Sequence, residues 1–200
     1  LVFTVTAPGS YEEPSAVSAK WGCPVDDSTL HALVQRTGAK AEAQIQHRLQ
    51  EPALELEPQR QASALAVLLM DGWMARFRGP GWGKRRTEKT RVEWHEIKTG
   101  VFYCAEQAAQ ANKGRGVLSD KVIVNWQGQP EELGRRLNWE AVRRGLARAR
   151  HSLVLSDGAA WIWNLKADRW KGAHELLDFY HASQHLWKLG EALEGQGQCA

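Results

Sequence analysis

Residues 153–165 read LVLSDGAAWIWNL, and this stretch decides the fold because an apolar run ends in an acid and then meets a glycine. The same arrangement occurs earlier, in LAVLLMDGWMARF at residues 65–77. A short, continuous apolar run is typical of a strand that is buried on both faces. Each run therefore predicts a buried strand with an aspartate, Asp71 or Asp157, at its carboxyl end.

The composition indicates a globular protein. The 200 residues are 43% hydrophobic and 24% charged, which suits one domain of ordinary size, with or without a tail. No apolar run approaches the roughly 18 residues of a membrane span. Three cysteines, far apart and without a CxxC pair, indicate neither a zinc knuckle nor a disulfide scaffold. We expect a cytoplasmic protein without a membrane partner.

Residues 1–60 differ from the rest of the chain and predict a helical N-terminal region followed by a linker. A helix is expected over residues 26–50, and Gly38 is a point at which it could divide. Its N-cap candidates are Asp26, Asp27 and Ser28. The segment EPALELEPQRQ that follows is rich in proline and glutamate, so we place the domain boundary near residues 51–63.

From residue 61 onward, strand-like and helix-like segments alternate. Strands are predicted at 64–70, at 91–105 as one strand or two, at 121–127, at 153–156 and, as a short strand, at 176–180. A hairpin loop is predicted at 78–90, a helix at 130–150 and another helix near the end. This order predicts an α/β fold with a mixed sheet flanked by helices.

The two strand-end acids point to metal chemistry. Open α/β sheets bind ligands at the carboxyl ends of their strands, so Asp71 and Asp157 converge if their strands are neighbours. Two close carboxylates repel each other unless one protonates or a cation lies between them. Mg²⁺ is often held by one or two carboxylates together with substrate phosphates. One Asp-Gly is usually a simple turn, whereas two that each end an apolar strand favour metal-dependent phosphoryl transfer.

Two basic blocks, at residues 76–91 and 135–150, could follow a phosphate backbone, although each could also be a solvated surface. The net charge of +3 is too small to decide between these interpretations. The candidate DNA-binding residues are Arg76, Arg78, Lys84, Arg85, Arg86, Arg135, Arg136, Arg143 and Arg144. The side chains of Trp73, Trp82 and Trp161 could stack on a base, and the alternative is that they pack in the core.

A histidine-rich segment leaves two interpretations open. His174, Asp178, His181 and His185 would share one face of a continuous helix and could bind zinc. If residues 176–180 form a strand instead, the histidines lie on different sides. Asp178 and His181 would then be a structural or substrate-orienting pair, with His181 able to donate to a phosphate.

Three segments together resemble bacterial insertion-sequence transposases of the Kra type, which are related to the Mutator-like superfamily. They are MDGWMARFRGPGWGKRRTEKTRVEWHEIKTGVFY, LVLSDGAAWIWNLKADRW and ELLDFYHASQHLW, and the similarity extends from about Trp21 through Leu189. The resemblance implies a ribonuclease H-like catalytic domain with a DDE triad. The family's first Asp matches Asp71, and its second, after the fourth strand, matches Asp157. The signature pair after the next strand matches Asp178 and His181.

The resemblance also implies partners, a cofactor and a domain plan. The partners would be double-stranded DNA, as transposon ends and target, and further copies of the chain in a transposition complex near the bacterial nucleoid. The cofactor would be Mg²⁺ or Mn²⁺. Residues 61–187 would be the catalytic core, and residues 188–200 the start of a helical insertion. The family's catalytic Glu follows that insertion, so we expect a truncated transposase.

Two alternatives to an active transposase remain open at this point. The first is a catalytically dead remnant that binds DNA without cutting it. The second is another ribonuclease H-like nuclease whose site is completed by an acid such as Glu93 or Glu96.

Overall fold

The computed structural model of the chain describes residues 11–53, 62–78, 92–110 and 116–197. The chain divides into two compact units, Leu1–Pro52 and Ala53–Ala200. The division falls within the stretch 51–63 that the sequence marks as a boundary. The assignment of catalytic core and insertion within the second unit stays a prediction.

The first unit contains α1 (Glu12–Lys20) and α2 (Asp27–Arg48). Asp26 is the N-cap of α2, and its carboxylate accepts the backbone N–H of Thr29 at 2.9 Å and the hydroxyl of Ser28 at 2.5 Å. These hydrogen bonds hold the pKa of Asp26 well below its usual range, with the Ser28 hydroxyl as the largest cause. The helix predicted over 26–50 is therefore confirmed, and it continues through Gly38 without dividing.

The second unit is built on a mixed five-stranded sheet, as the sequence predicts. Its strands are β1 (Leu65–Arg78), β2 (Val92–Cys104), β5 (Val122–Gln127), β6 (His151–Ser156) and β7 (His174–Leu177), in the order β5-β2-β1-β6-β7. The pairs β1–β2 and β2–β5 are antiparallel, whereas β1–β6 and β6–β7 are parallel. A small antiparallel pair, β3 (Ala108–Gln110) and β4 (Gly116–Leu118), lies between β2 and β5 in the chain.

Three helices accompany the sheet: α3 (Pro130–Arg143), α4 (Ala160–Arg169) and α5 (Phe179–Gly197). The core forms where α3 and α4 pack on one face of the sheet, and Met70, Phe102 and Leu137 are almost fully buried there. Gly100 lies directly beneath α3, since a Cβ built on it would lie 2.6 Å from Leu137 Cδ2. Among the described residues, no helix is both long and apolar enough to cross a membrane.

The structure corrects the predicted end of the first strand. Strand β1 does not stop at Met70 but continues through Asp71 and Gly72 to Arg78, because β2 pairs with it over that whole length. Pairing with β6 ends at Met70 and pairing of β2 with β5 ends at Ile97. The outer halves of β1 and β2 therefore form a two-stranded ribbon beyond the sheet.

Two other segments also differ from their predictions. The helix predicted at 130–150 ends at Arg143, because Gly145 adopts a φ of 95° that continues no right-handed helix. The histidine-rich segment is divided between β7, which contains His174, and α5, which contains His181 and His185. The four residues therefore share no helix face, and no three potential metal ligands come together in the part of the chain that the structure describes.

Candidate functional site

The strand register places three aspartates in neighbouring positions. The last β1–β6 pair is Met70 with Ser156, so the next residues along these strands are Asp71 and Asp157. The last β6–β7 pair is Ser156 with Leu177, so the residue next to Asp157 on its other side is Asp178. Adjacent strands are about 4.8 Å apart. The three acids therefore form a row across β1, β6 and β7, where the last two strands end.

Asp71 projects from the sheet face opposite to α3 and α4. Met70 and Ser156 are buried against the helices, and successive side chains of a strand point to opposite faces. Directly across β2, Thr99 pairs with Asp71. The Thr99 hydroxyl accepts from Trp73 Nε1 at 3.1 Å and donates to Asn125 at 2.8 Å. A line of polar side chains thus lies beside this acid on the exposed face.

Each of the three carboxylates accepts a nearby backbone N–H. Asp71 accepts from Gly72 at 2.7 Å, Asp157 from Ala159 at 3.0 Å and Asp178 from Tyr180 at 3.3 Å. Such short-range bonds fix the rotamers of aspartates at strand ends and turns. Within the described residues, the second carboxylate oxygens of Asp71 and Asp157 accept no hydrogen bond.

The predicted signature pair is in contact. Asp178 Oδ2 lies 3.8 Å from His181 Nδ1, one helical turn away at the start of α5. Because Asp178 also accepts the N–H of Tyr180, its carboxylate caps this helix and lies beside His181, at a distance longer than a hydrogen bond. These contacts give Asp178 a local structural role at the end of the row.

Glu96 and Glu93, the acids of the alternative nuclease hypothesis, do not join Asp71. Glu96 is exposed on the sheet face opposite to Asp71, where its Oε1 would be 2.6 Å from a Cβ built on Gly72. Its other oxygen accepts from Lys98 Nζ at 2.5 Å, and Lys98 is only 8% exposed. Glu93 lies further along the ribbon, opposite Phe77, and its carboxylate is 3.2 Å from His95 Nε2.

Lys98 is a residue of this region that the sequence did not single out. Its Nζ lies 5.7 Å from the centre of the Trp161 ring, in addition to its bond with Glu96. Trp161 is partly buried beside the core and faces this ammonium. Alternate residues of a strand share a face, so Lys98 lies on the same face of β2 as Glu96 and Gly100. This alternation is the sequence signal that could have predicted a buried position for Lys98.

The arginines within α3 and directly after it that were predicted to bind DNA are engaged within the domain. Arg135 and Arg136 both donate to Glu132, at 2.8 and 2.7 Å, and Arg136 also stacks on Trp126. The Arg135 hydrogen bond is the largest cause that lowers the pKa of Glu132 to about 2. Arg143 lies 4.3 Å from the centre of the Trp139 ring, and Arg144 Nη1 donates to Glu140 at 2.5 Å.

The predicted DNA-binding residues of the first basic block lie mostly outside the described residues. Arg76 is exposed on the ribbon, in register with Trp94, which is also exposed. Arg78 ends β1, and its side chain is not described. Lys84, Arg85, Arg86 and Trp82 lie outside the described residues.

No family model matches the chain, and no curated protein matches it. The resemblance to insertion-sequence transposases therefore stays a prediction, as do the DNA partner and the metal cofactor.

Proposed function

We propose that residues 61–187 are a ribonuclease H-like catalytic core of a DNA transposase, in which Asp71 and Asp157 bind Mg²⁺ or Mn²⁺. The observation that carries the proposal is the register of β1 and β6. Their last paired residues are Met70 and Ser156, and the two acids are the residues that follow directly on each strand. Residues that are 86 positions apart in the sequence thus have neighbouring positions where β6 ends, and strand ends of this kind are where α/β sheets bind ligands.

The sheet supplies a second support for the proposal. Counted along the chain, β1 and β6 are the first and fourth strands of the five-stranded sheet, and β7 is the fifth. The transposase resemblance assigns the first acid to the end of the first strand, the second acid to the end of the fourth strand and the signature pair to the segment after the next strand. Asp157 and the pair Asp178–His181 have the corresponding positions, whereas Asp71 lies within β1, seven residues before its end.

The donor set fits a magnesium ion. Asp71 and Asp157 each have one oxygen with no hydrogen bond in the described structure, and Mg²⁺ commonly uses one or two carboxylates together with substrate phosphates. When bound, the metal would polarise a scissile phosphodiester and activate a water or a 3′-hydroxyl for in-line attack. The acids would hold the metal, and the backbone N–H groups of Gly72 and Ala159 would keep their carboxylates in position.

The ribbon formed by the outer halves of β1 and β2 would contact the DNA. A two-stranded β-ribbon has the width to enter the major groove, and the exposed Arg76 can contact phosphate there. Trp73 and Trp94 are 52% and 59% exposed, so their rings are accessible to a base or a sugar. His181, which lies beside Asp178, would donate to a phosphate near the metal.

Self-association in a transposition complex is part of the proposal. Helix α5 exposes Leu186, Leu189 and Leu193 by 56 to 69%, at steps of three and four residues. This spacing is typical of the seam of a coiled coil, and a second copy of the chain offers the same seam.

The proposal is tested by metal binding to the full chain, measured by titration calorimetry with Mn²⁺. Replacing Asp71→Asn and Asp157→Asn together keeps the oxygens that accept the backbone N–H groups but removes both charges. We expect Mn²⁺ affinity to fall by more than roughly tenfold, since substitutions in the outer shell of a metal site alone cost about that much. Asp168→Asn is the matched control, because Asp168 is an exposed acid on α4 outside the row.

The possible results separate the hypotheses. Loss of Mn²⁺ affinity in the double variant but not in Asp168→Asn supports the metal site, and Mg²⁺-dependent nicking of plasmid DNA that disappears in the same variant supports the transposase core. Unchanged affinity in the double variant would refute the site. DNA binding without any nicking by the wild-type chain would favour the non-catalytic alternative.

A further inference from the structure

A cleft of about 790 Å³ opens at the end of the sheet opposite to the three acids. It lies where β1 begins and β2 ends, and Ser63, Ala64 and Cys104 form part of its wall. Six residues of β1 separate this end from Asp71, which corresponds to roughly 20 Å at about 3.3 Å per residue. The cleft is therefore distinct from the proposed metal site.

The walls of the cleft carry an excess of positive charge. Arg144, Arg148 and Arg150 line it, and Glu106 is the one acid among its described lining residues, so three positive charges and one negative charge give a net charge of +2. The Glu106 carboxylate accepts the hydroxyl of Ser63 at 2.5 Å and the N–H of Ala64 at 2.7 Å. These hydrogen bonds lower the pKa of Glu106, and the bond from the Ser63 hydroxyl is the largest cause. Glu106 therefore stays ionised and engaged with the cleft wall.

The backbone after α3 holds the arginines at the cleft. Gly145 ends the helix with a φ of 95°, and Arg148 N–H donates to the Gly145 carbonyl at 3.1 Å. The Arg150 N–H then donates to the carbonyl of Ser63 at 2.9 Å, which joins this turn to the start of β1. Since the turn is anchored at both ends, the three arginines are presented from a fixed backbone rather than from an unsupported loop.

We infer that this cleft binds a phosphate-bearing ligand. Its volume is that of a typical small-molecule site, and the planar guanidinium group matches phosphate oxygens through paired donors. Arg144 retains donors for a ligand, because Glu140 engages it at Nη1 and a guanidinium carries five N–H groups. The Ser119 hydroxyl also lines the cleft, where it donates to the Gln107 carbonyl at 3.1 Å, so its oxygen can only accept a further bond.

Phosphate of this kind could come from a free phosphorylated compound or from the backbone of a nucleic acid. The inference goes beyond the transposase proposal, because it needs neither Asp71 nor Asp157 and would hold for a chain without metal chemistry. If the source is DNA, the cleft adds a contact about 20 Å from the acids.

The test compares the full chain with three variants, using inorganic pyrophosphate in calorimetry and a labelled DNA duplex of mixed sequence in fluorescence anisotropy. Arg150→Gln removes an exposed charge of the cleft, and Ala62→Glu adds an opposing charge at an exposed lining residue. Lys171→Gln removes one exposed charge outside the cleft and is the matched control. Both probes are measured at low salt, where phosphate contacts are strongest.

We expect Arg150→Gln and Ala62→Glu to weaken binding roughly fivefold or more, and Lys171→Gln to leave it nearly unchanged. Weakened pyrophosphate binding identifies a free phosphorylated compound as the source, and weakened duplex binding alone identifies a nucleic-acid backbone. Equal binding by the wild type and both cleft variants, or an equal loss in Lys171→Gln, would overturn the inference. Mn²⁺ affinity, measured in parallel, should not change in any of the three, so failure here is distinguishable from failure of the metal site.

Discussion

Because α3 packs closely against the sheet, one added methyl group at Gly100 should lower the free energy of unfolding. In Gly100→Ala, the new Cβ would lie 2.6 Å from Leu137 Cδ2, whereas an ordinary contact begins at about 3.4 Å. Leu137 must therefore move by about 0.8 Å, and it is fully buried in a core with little free space. Such overpacking costs about 1–3 kcal/mol, and the better strand propensity of alanine returns about 0.5–1 kcal/mol. We expect a net destabilisation of about 1.3 kcal/mol at the midpoint of these ranges, and of about 2.5 kcal/mol at most.

The assay is urea unfolding of the full chain followed by tryptophan fluorescence. Nine of the ten tryptophans follow Pro52, so the signal reports mainly on the unit that contains Gly100. Gly172→Ala is the control, because a Cβ at Gly172 meets nothing within 4 Å and its φ is not left-handed. That variant should be unchanged or stabilised by up to about 1 kcal/mol. If Gly100→Ala were as stable as Gly172→Ala, α3 would not pack on the sheet at Gly100.

Two further predictions concern charged groups. The pKa of Glu132 is lowered from its ordinary 4.5 to about 2, so its stabilising contribution is full above about 4.5 and is lost as the pH falls through about 2. Glu132→Gln should therefore lower the free energy of unfolding at pH 7 but much less near pH 2. The measurement is urea unfolding, with the exposed Glu131→Gln as the control. An equal loss of stability at both pH values would contradict this prediction. Glu96→Gln should lower the free energy of unfolding by about 1–3 kcal/mol, because it removes the charged partner of buried Lys98. Adding Lys98→Met to this variant should recover part of the lost stability. Strict additivity in this double-mutant cycle would show that the pair is not coupled.

Features that depend on local chemistry were predictable from the sequence. The N-cap of α2 uses the side chain of Asp26 and a backbone N–H three residues later, so the pattern alone indicates it. The apolar runs likewise predict β1 and β6, because both strands bury side chains on the sheet. The mixed α/β sheet flanked by helices followed from the order of these elements and is confirmed.

Features that depend on a distant partner were not predictable in the same way. An Asp-Gly pair indicates a turn, yet Asp71 and Gly72 stay in β1 because β2 pairs with both of them across the ladder. The neighbouring positions of Asp71, Asp157 and Asp178 depend on strand order and register, which no single segment encodes. Arg135 and Arg136 form ion pairs with Glu132, which lies three and four residues earlier on the same helix face. Counting the basic residues of a segment does not take such internal partners into account.

Because β1 continues past the end of β6, the backbones of Asp71 and Asp157 are supported unequally. The backbone of Asp71 lies inside a ladder that extends seven residues further, to Arg78. The backbone of Asp157 has left its strand and approaches α4 through Gly158, whose φ is 96°. A ladder resists displacement more than a turn does. If Asp71 and Asp157 bind a ligand as proposed, the backbone of Asp71 would stay in place, and any closing movement would occur at residues 157–159.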